Sequence, residues 1–143
     1  VIAPDVNLLL YAYNPAAKLH VAARRWLETE LGGEELVGFP GLAVHGFLRL
    51  ATNPRVFPEP LSPQEAVEAV EAWLARPNAA LIEAGPEHWA TLRHLIIATS
   101  VRGGDISDAA LAAIVIEHGA ELHSTDRDFA RFPGLKWKNP LED

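Results

Sequence analysis

At 143 residues the chain has the length of one domain, and 49% apolar residues can bury a core, which excludes a disordered protein. It holds no cysteine, so disulfide frameworks and thiolate metal sites are excluded too. The formal charge of −7 has the wrong sign for a protein that grips nucleic acid through a basic surface, but not for an acidic site that recruits divalent metal.

In chain order, an apolar run at residues 1–3 reads as the first strand. No basic leader or cleavage site precedes it, so a cytoplasmic protein is expected. Asp5 follows, then an apolar helix through Leu8, Leu9 and Leu10. Asn14-Pro15 is expected to open a helix that stops at Gly32-Gly33. A second strand at 36–39 leads into a helix over 41–51. Ser62-Pro63-Gln64-Glu65 is a capping box with proline at the first helical position. The helix behind it puts Ala66, Val67, Val70, Trp73 and Leu74 on one stripe, and Pro77 ends it.

A third strand is expected at 80–83, then a helix opened by Pro86 with Trp89, Leu92 and Ile96 as its apolar stripe. Ser107 is positioned to cap the most apolar helix, 108–118, and Gly119 to close it. Its longest apolar run, 109–116, is too short to cross a bilayer, so no membrane partner is expected. Strands at 121–124 and 135–137 complete the pattern. Alternation of this kind predicts one α/β domain over 1–143, a mostly parallel sheet with helices on both faces.

In such sheets ligands bind beyond the carboxyl ends of the strands. Asp5, Asp108, Asp126 and Asp128 fall there. Asp5 ends an apolar strand beside an apolar helix, so its carboxylate is expected to be partly buried, and buried charges persist when paired or metal-bound. Two carboxylates about 4 Å apart repel by roughly 4 kcal/mol at an effective dielectric near 20. No lysine or arginine is obviously placed among the four, so a divalent cation is the economical solution. All-oxygen ligands point to Mg²⁺ or Mn²⁺. Taken singly, Asp108 also reads as an ordinary N-terminal helix residue and Asp126 as the cap of a short turn. The six histidines show no ligand spacing.

These residues in this order resemble the PIN-domain ribonucleases, in particular the VapC-type toxins of toxin–antitoxin pairs. The resemblance spans essentially the whole chain. It is carried by Asp5-Val6-Asn7, by the run Gly46 to Phe57, by Ser107-Asp108-Ala109 with Glu117-His118-Gly119-Ala120, and by the run Ser124 to Leu135. It implies a three-layer α/β/α sandwich, a homodimer, a VapB-type antitoxin as partner and RNA as substrate. It also implies metal binding by Asp5 and Asp108, with Asp126, and secondarily Asp128, in support. Asn7 and Thr125 would orient a carboxylate or a water.

The chain departs from that pattern in one place. Many PIN domains carry a further acid on the helix after the second strand, whereas residues 41–51 have none and place His45 nearby. Glu117 cannot replace it, lying about 13 Å along the axis from Asp108 and on the opposite helix face. The rival readings are a catalytically silent relative that only binds the antitoxin, and a haloacid-dehalogenase-like phosphatase, which wants an aspartate where Asn7 stands. Phe47, Leu48, Val56, Phe57, Trp73 and Leu74 exceed what one core-facing stripe needs, and are expected to contribute to a partner surface, with Arg49 or Arg55 available to antitoxin acids.

Overall fold

The computed structural model describes residues 1–142. Strand β1 (Ile2–Pro4) leads through Asp5 into helix α1 (Val6–Tyr13), which α2 (His20–Leu31) follows. Strand β2 (Val37–Pro40) runs straight into α3 (Gly41–Ala51), then α4 (Pro63–Leu74), β3 (Ala79–Ile82), α5 (His88–Thr99) and α6 (Asp105–Glu117). Strand β4 (Glu121–His123), a 3-10 turn (Arg127–Arg131) and β5 (Lys136–Lys138) finish the chain. The sheet order is β3-β2-β1-β4-β5, and among the described residues every pairing is parallel.

Period-two alternation along the strands divides the interior into two cores. Ile2, Val37 and Phe39 pack against α1 to α4. Ala3, Ile82 and Leu122 pack against α5, α6 and the aromatic pair Phe129 and Phe132. The result is the parallel sheet with helices on both faces that the alternation predicts, and the three-layer α/β/α sandwich that the resemblance implies. Both β1 and β2 end on proline, where a missing ladder donor is tolerated. After β1 the amide of Asp5 takes over, donating to the His123 carbonyl at 2.9 Å.

The capping box forms as expected: the Glu65 amide donates to Ser62 Oγ at 3.1 Å and the Ser62 amide to Glu65 Oε1 at 2.9 Å. Other expectations need correction. Asn14-Pro15 opens a turn, not a helix, because Asn14 Oδ1 accepts from the Ala16 amide and its carbonyl from the Ala17 amide, and α2 starts only at His20. Helix α6 starts a turn early, through successive bonds from Asp105, Ile106 and Ser107 to Arg102, Gly103 and Gly104. Ser107 therefore sits inside the first turn and does not cap it. In α5 the fully buried side chain is Leu95, and Trp89 is turned to solvent, 67% exposed.

The expected partner surface is mostly core. Phe47, Phe57 and Trp73 are buried, with Leu48 and Leu74 half-buried against them. Trp73 stacks on Phe39 at 5.2 Å between centroids, meets Phe47 edge-on at 4.8 Å, and donates its indole N–H to Tyr13 Oη at 2.8 Å. The aromatic surplus fills the space between helices and sheet; of the six, Val56 is the exposed one. Among the described residues no helix is long and apolar enough to cross a membrane.

Candidate active site

The register Pro4↔His123 sets the residues just beyond β1 and β4, Asp5 and Ser124, side by side at the carboxyl edge of the sheet. Asp5 N-caps α1, its Oδ1 accepting from the Val6 amide at 2.7 Å, and its Oδ2 accepts from Ser124 Oγ at 2.7 Å. Ser124 Oγ in turn accepts from the Asp126 amide at 3.0 Å. One buried hydroxyl thus ties Asp5 to the turn that carries Asp126. Asp126 caps the 3-10 turn, its Oδ1 accepting from the Asp128 amide at 2.9 Å.

Asp108 enters from the first turn of α6, where the helix dipole favours a negative charge. Asp5 and Asp108 line one cavity of about 340 Å³ together with Ser107, His45, Gly46 and Arg49. An arginine does reach this acidic cluster, contrary to the expectation from sequence. Arg131 lies 3.5 Å from Asp108 Oδ2 and 3.7 Å from Asp105 Oδ2, with its guanidinium over the Phe132 ring.

The electrostatics mark Asp5. Burial pushes its carboxyl up to about 6; the bonds from Ser124 and Val6 oppose the shift, and the charges of Asp108 and Asp126 add to it. Burial also raises Asp108, helped by Asp126 and opposed by Arg131. Asp128 is exposed and acts on Asp108 through its charge alone. Asp5 and Asp108 therefore share the cavity, Asp126 flanks it, and Asp128 faces solvent.

Asn7 and Thr125 make no side-chain hydrogen bond to these carboxylates among the described residues; Ser124 holds Asp5 instead. Glu117 serves elsewhere, accepting from the Gly85 and Glu87 amides at 2.8 and 3.0 Å and so fixing the loop after β3. Ser124 and Arg131 were absent from the sequence-derived site. A hydroxyl next to the strand-end aspartate pair was the one local signal for Ser124.

Among the described residues no three histidine, aspartate or glutamate side chains are gathered tightly enough to enclose a metal ion by themselves. The donor chemistry nevertheless fits a hard divalent cation. A desolvated carboxylate with two acidic neighbours lacks positive charge, and Mg²⁺ typically takes one or two carboxylates and keeps several waters.

The chain matches the PIN domain family over residues 2–135. It is 44% identical over 138 residues to ribonuclease VapC43 of Mycobacterium tuberculosis, covering 96% of this chain and 94% of that protein. It is 41% identical to ribonuclease VapC33 of the same organism, covering 99% of both. Among solved structures it resembles VapBC2 from Rickettsia felis bound to a promoter DNA fragment, with a TM-score of 0.71, 14% identity and 96% of each chain covered. It also resembles VapC20 of M. tuberculosis, a sarcin–ricin loop cleaving toxin, with a TM-score of 0.69, 15% identity, and 95% of this chain and 99% of that one covered.

Proposed function

The chain belongs to the PIN-domain family, and on that premise we propose that it is a Mg²⁺-dependent endoribonuclease, the cytoplasmic toxin of a VapBC-type pair. Mn²⁺ is the alternative ion. The observation that carries the reading is the shared cavity of Asp5 and Asp108, with Asp5 buried and short of positive charge. Identity above 40% to two ribonucleases over nearly the whole chain supports the reaction class. The partners proposed are RNA as substrate, a cognate VapB-type antitoxin and a second copy of the chain.

Asp5 and Asp108 would hold the ion, with Asp126 adding negative charge from the flank and Asp128 contributing at longer range. A bound divalent cation supplies an activated water and neutralises charge on the phosphate undergoing in-line displacement. Ser124 and the Val6 amide hold the Asp5 carboxylate in one orientation. Asn7 and Thr125, next to the strand-end acids, would orient water. No covalent nucleophile is needed.

The test is cleavage of RNA by the purified chain. Activity with Mg²⁺, its loss in EDTA, and products ending in 5′-phosphate and 3′-hydroxyl are expected. Products with 2′,3′-cyclic phosphate would overturn the mechanism. A folded chain that binds antitoxin but cuts nothing would instead favour the silent relative, for which the missing acid on α3 is the argument.

A further inference from the structure

Two groups on the wall of the catalytic cavity have no part in metal binding. Arg49 and His45 stand four residues apart on α3, hence on one helix face, and both are exposed. Among the described residues Arg49 is the arginine that lines the cavity of Asp5 and Asp108, and it forms no ion pair there. Both residues also line a second hollow of about 480 Å³ beyond α3, whose floor is Val44, Leu48 and Leu81 and whose Gly41 end carries the Glu83 carboxylate. Leu81, on the edge strand β3, is 47% exposed. The two residues thus form a ridge with Asp5 and Asp108 on one side and, on the other, an open hollow with an apolar floor and Glu83 at one end.

The geometry points to a nucleotide subsite here: Arg49 and His45 bind the backbone phosphate that flanks the scissile one, and the adjoining nucleotide lies over Val44, Leu48 and Leu81. This rests on the ribonuclease reading. A strand whose scissile phosphate sits at Asp5 and Asp108 must leave the cavity past a wall. This wall offers two donors on one face of α3, with the Glu83 carboxylate at its Gly41 end, about two helical turns from Arg49. A guanidinium takes phosphate oxygens bidentately, and an imidazole N–H adds a further donor. In a chain of net charge −7 such a contact supplies local attraction that the surface as a whole does not. An antitoxin carboxylate would also suit Arg49, but it gives no reason for both residues to line the cavity and the hollow together.

The test uses the full chain carrying Asp108→Asn, so that a short single-stranded RNA is bound and not cut. Adding Arg49→Gln should weaken binding about tenfold and lower the slope of log affinity against log salt by about 0.7, the loss of one single-strand phosphate contact. Arg49→Lys should restore most of that slope, and His45→Gln should weaken binding less than Arg49→Gln. Leu81→Glu, a substitution at an exposed edge position, should weaken binding by placing an anion against the strand. With unchanged melting temperatures, equal affinity and slope for Arg49→Gln and its parent would overturn the subsite and leave the ribonuclease reading standing. The same holds if Arg49→Gln weakens only antitoxin binding. If the parent binds no RNA and the unsubstituted chain cuts none, both fall together.

Discussion

Ser124 Oγ donates to Asp5 Oδ2 at 2.7 Å, joining residues 119 positions apart across the two strands at the middle of the sheet. Both groups are buried, and the same hydroxyl oxygen accepts from the Asp126 amide. The contact therefore sets the orientation of one carboxylate and the position of the turn bearing another.

Ser124→Ala should lower stability by about 1–3 kcal/mol, because a buried carboxylate oxygen and a partly buried amide lose their partner. It should also push the Asp5 carboxyl above its value of about 6, since the Ser124 bond is the strongest influence opposing burial. Chemical denaturation and the pH profile of cleavage measure the two effects. An unchanged acid limb in the variant would contradict the role given to this bond.

The contribution of Asp5 to the stability of the metal-free chain, read as the difference from Asp5→Asn, should fall as pH rises from about 4 to about 6. Glu65 and Glu117, held below the ordinary carboxylate range by hydrogen bonds, act in the opposite direction. Asp5 binds its proton more tightly in the folded state, about 6 against 3.8, so between these values the folded chain holds more protons than the unfolded one. The stabilising difference is full below 3.8 and lost as pH rises through about 6, on the order of 3 kcal/mol from a shift of about two pH units. Asp108 shifts in the same direction. Asp5→Asn should remove most of this dependence and be the more stable chain at pH 7, while losing cleavage. Added Mg²⁺ should raise the unsubstituted chain's melting temperature at pH 7. Thermal unfolding of both chains across pH with and without Mg²⁺ decides both points, and an unsubstituted chain that gains stability relative to Asp5→Asn from about pH 4 to about 6 would reverse the assignment.

Trp73→Ala should destabilise the fold by about 3–5 kcal/mol. Its ring stacks on Phe39 and meets Phe47, and its N–H would leave Tyr13 Oη without a donor. Trp73→Phe keeps most of the packing and should lose less. A near-neutral Trp73→Ala would return this residue to the surface.

How much was legible follows from the range of each interaction. Strands were readable to within one residue because their apolar runs are short and bounded. Asp5 was readable as a partly buried acid from its place between an apolar strand and an apolar helix. The interior position of Phe47, Phe57 and Trp73 was not, since the period of a helix gives the width of its apolar stripe but not how many neighbours cover it. On α5 the same ambiguity put Trp89 on the buried stripe, whereas the helix turns Leu95 inward. The start of α6 was hidden because its first turn carries Gly104 as N-cap, with no capping side chain to mark it. The Ser124–Asp5 and Arg131–Asp108 pairs join residues 119 and 23 positions apart, and no local pattern reports either.

Arg131→Gln should tighten Mg²⁺ binding while changing stability little. Arg131 sits between Asp105 and Asp108 at 3.7 and 3.5 Å, with all three side chains partly solvent-accessible, and pairs of that kind contribute at most about 1 kcal/mol. Its positive charge nevertheless counts against a cation at Asp108, both by direct repulsion and by occupying Oδ2. Removing the charge leaves Asp105 and Asp108 repelling each other in the metal-free chain, which an arriving cation relieves. The variant should therefore show a severalfold lower Mg²⁺ concentration for half-maximal thermal stabilisation. Arg131→Lys, which keeps the charge, should stay close to the unsubstituted chain. If Arg131→Gln weakened Mg²⁺ binding instead, the guanidinium would be holding Asp108 in place for the ion, not competing with it.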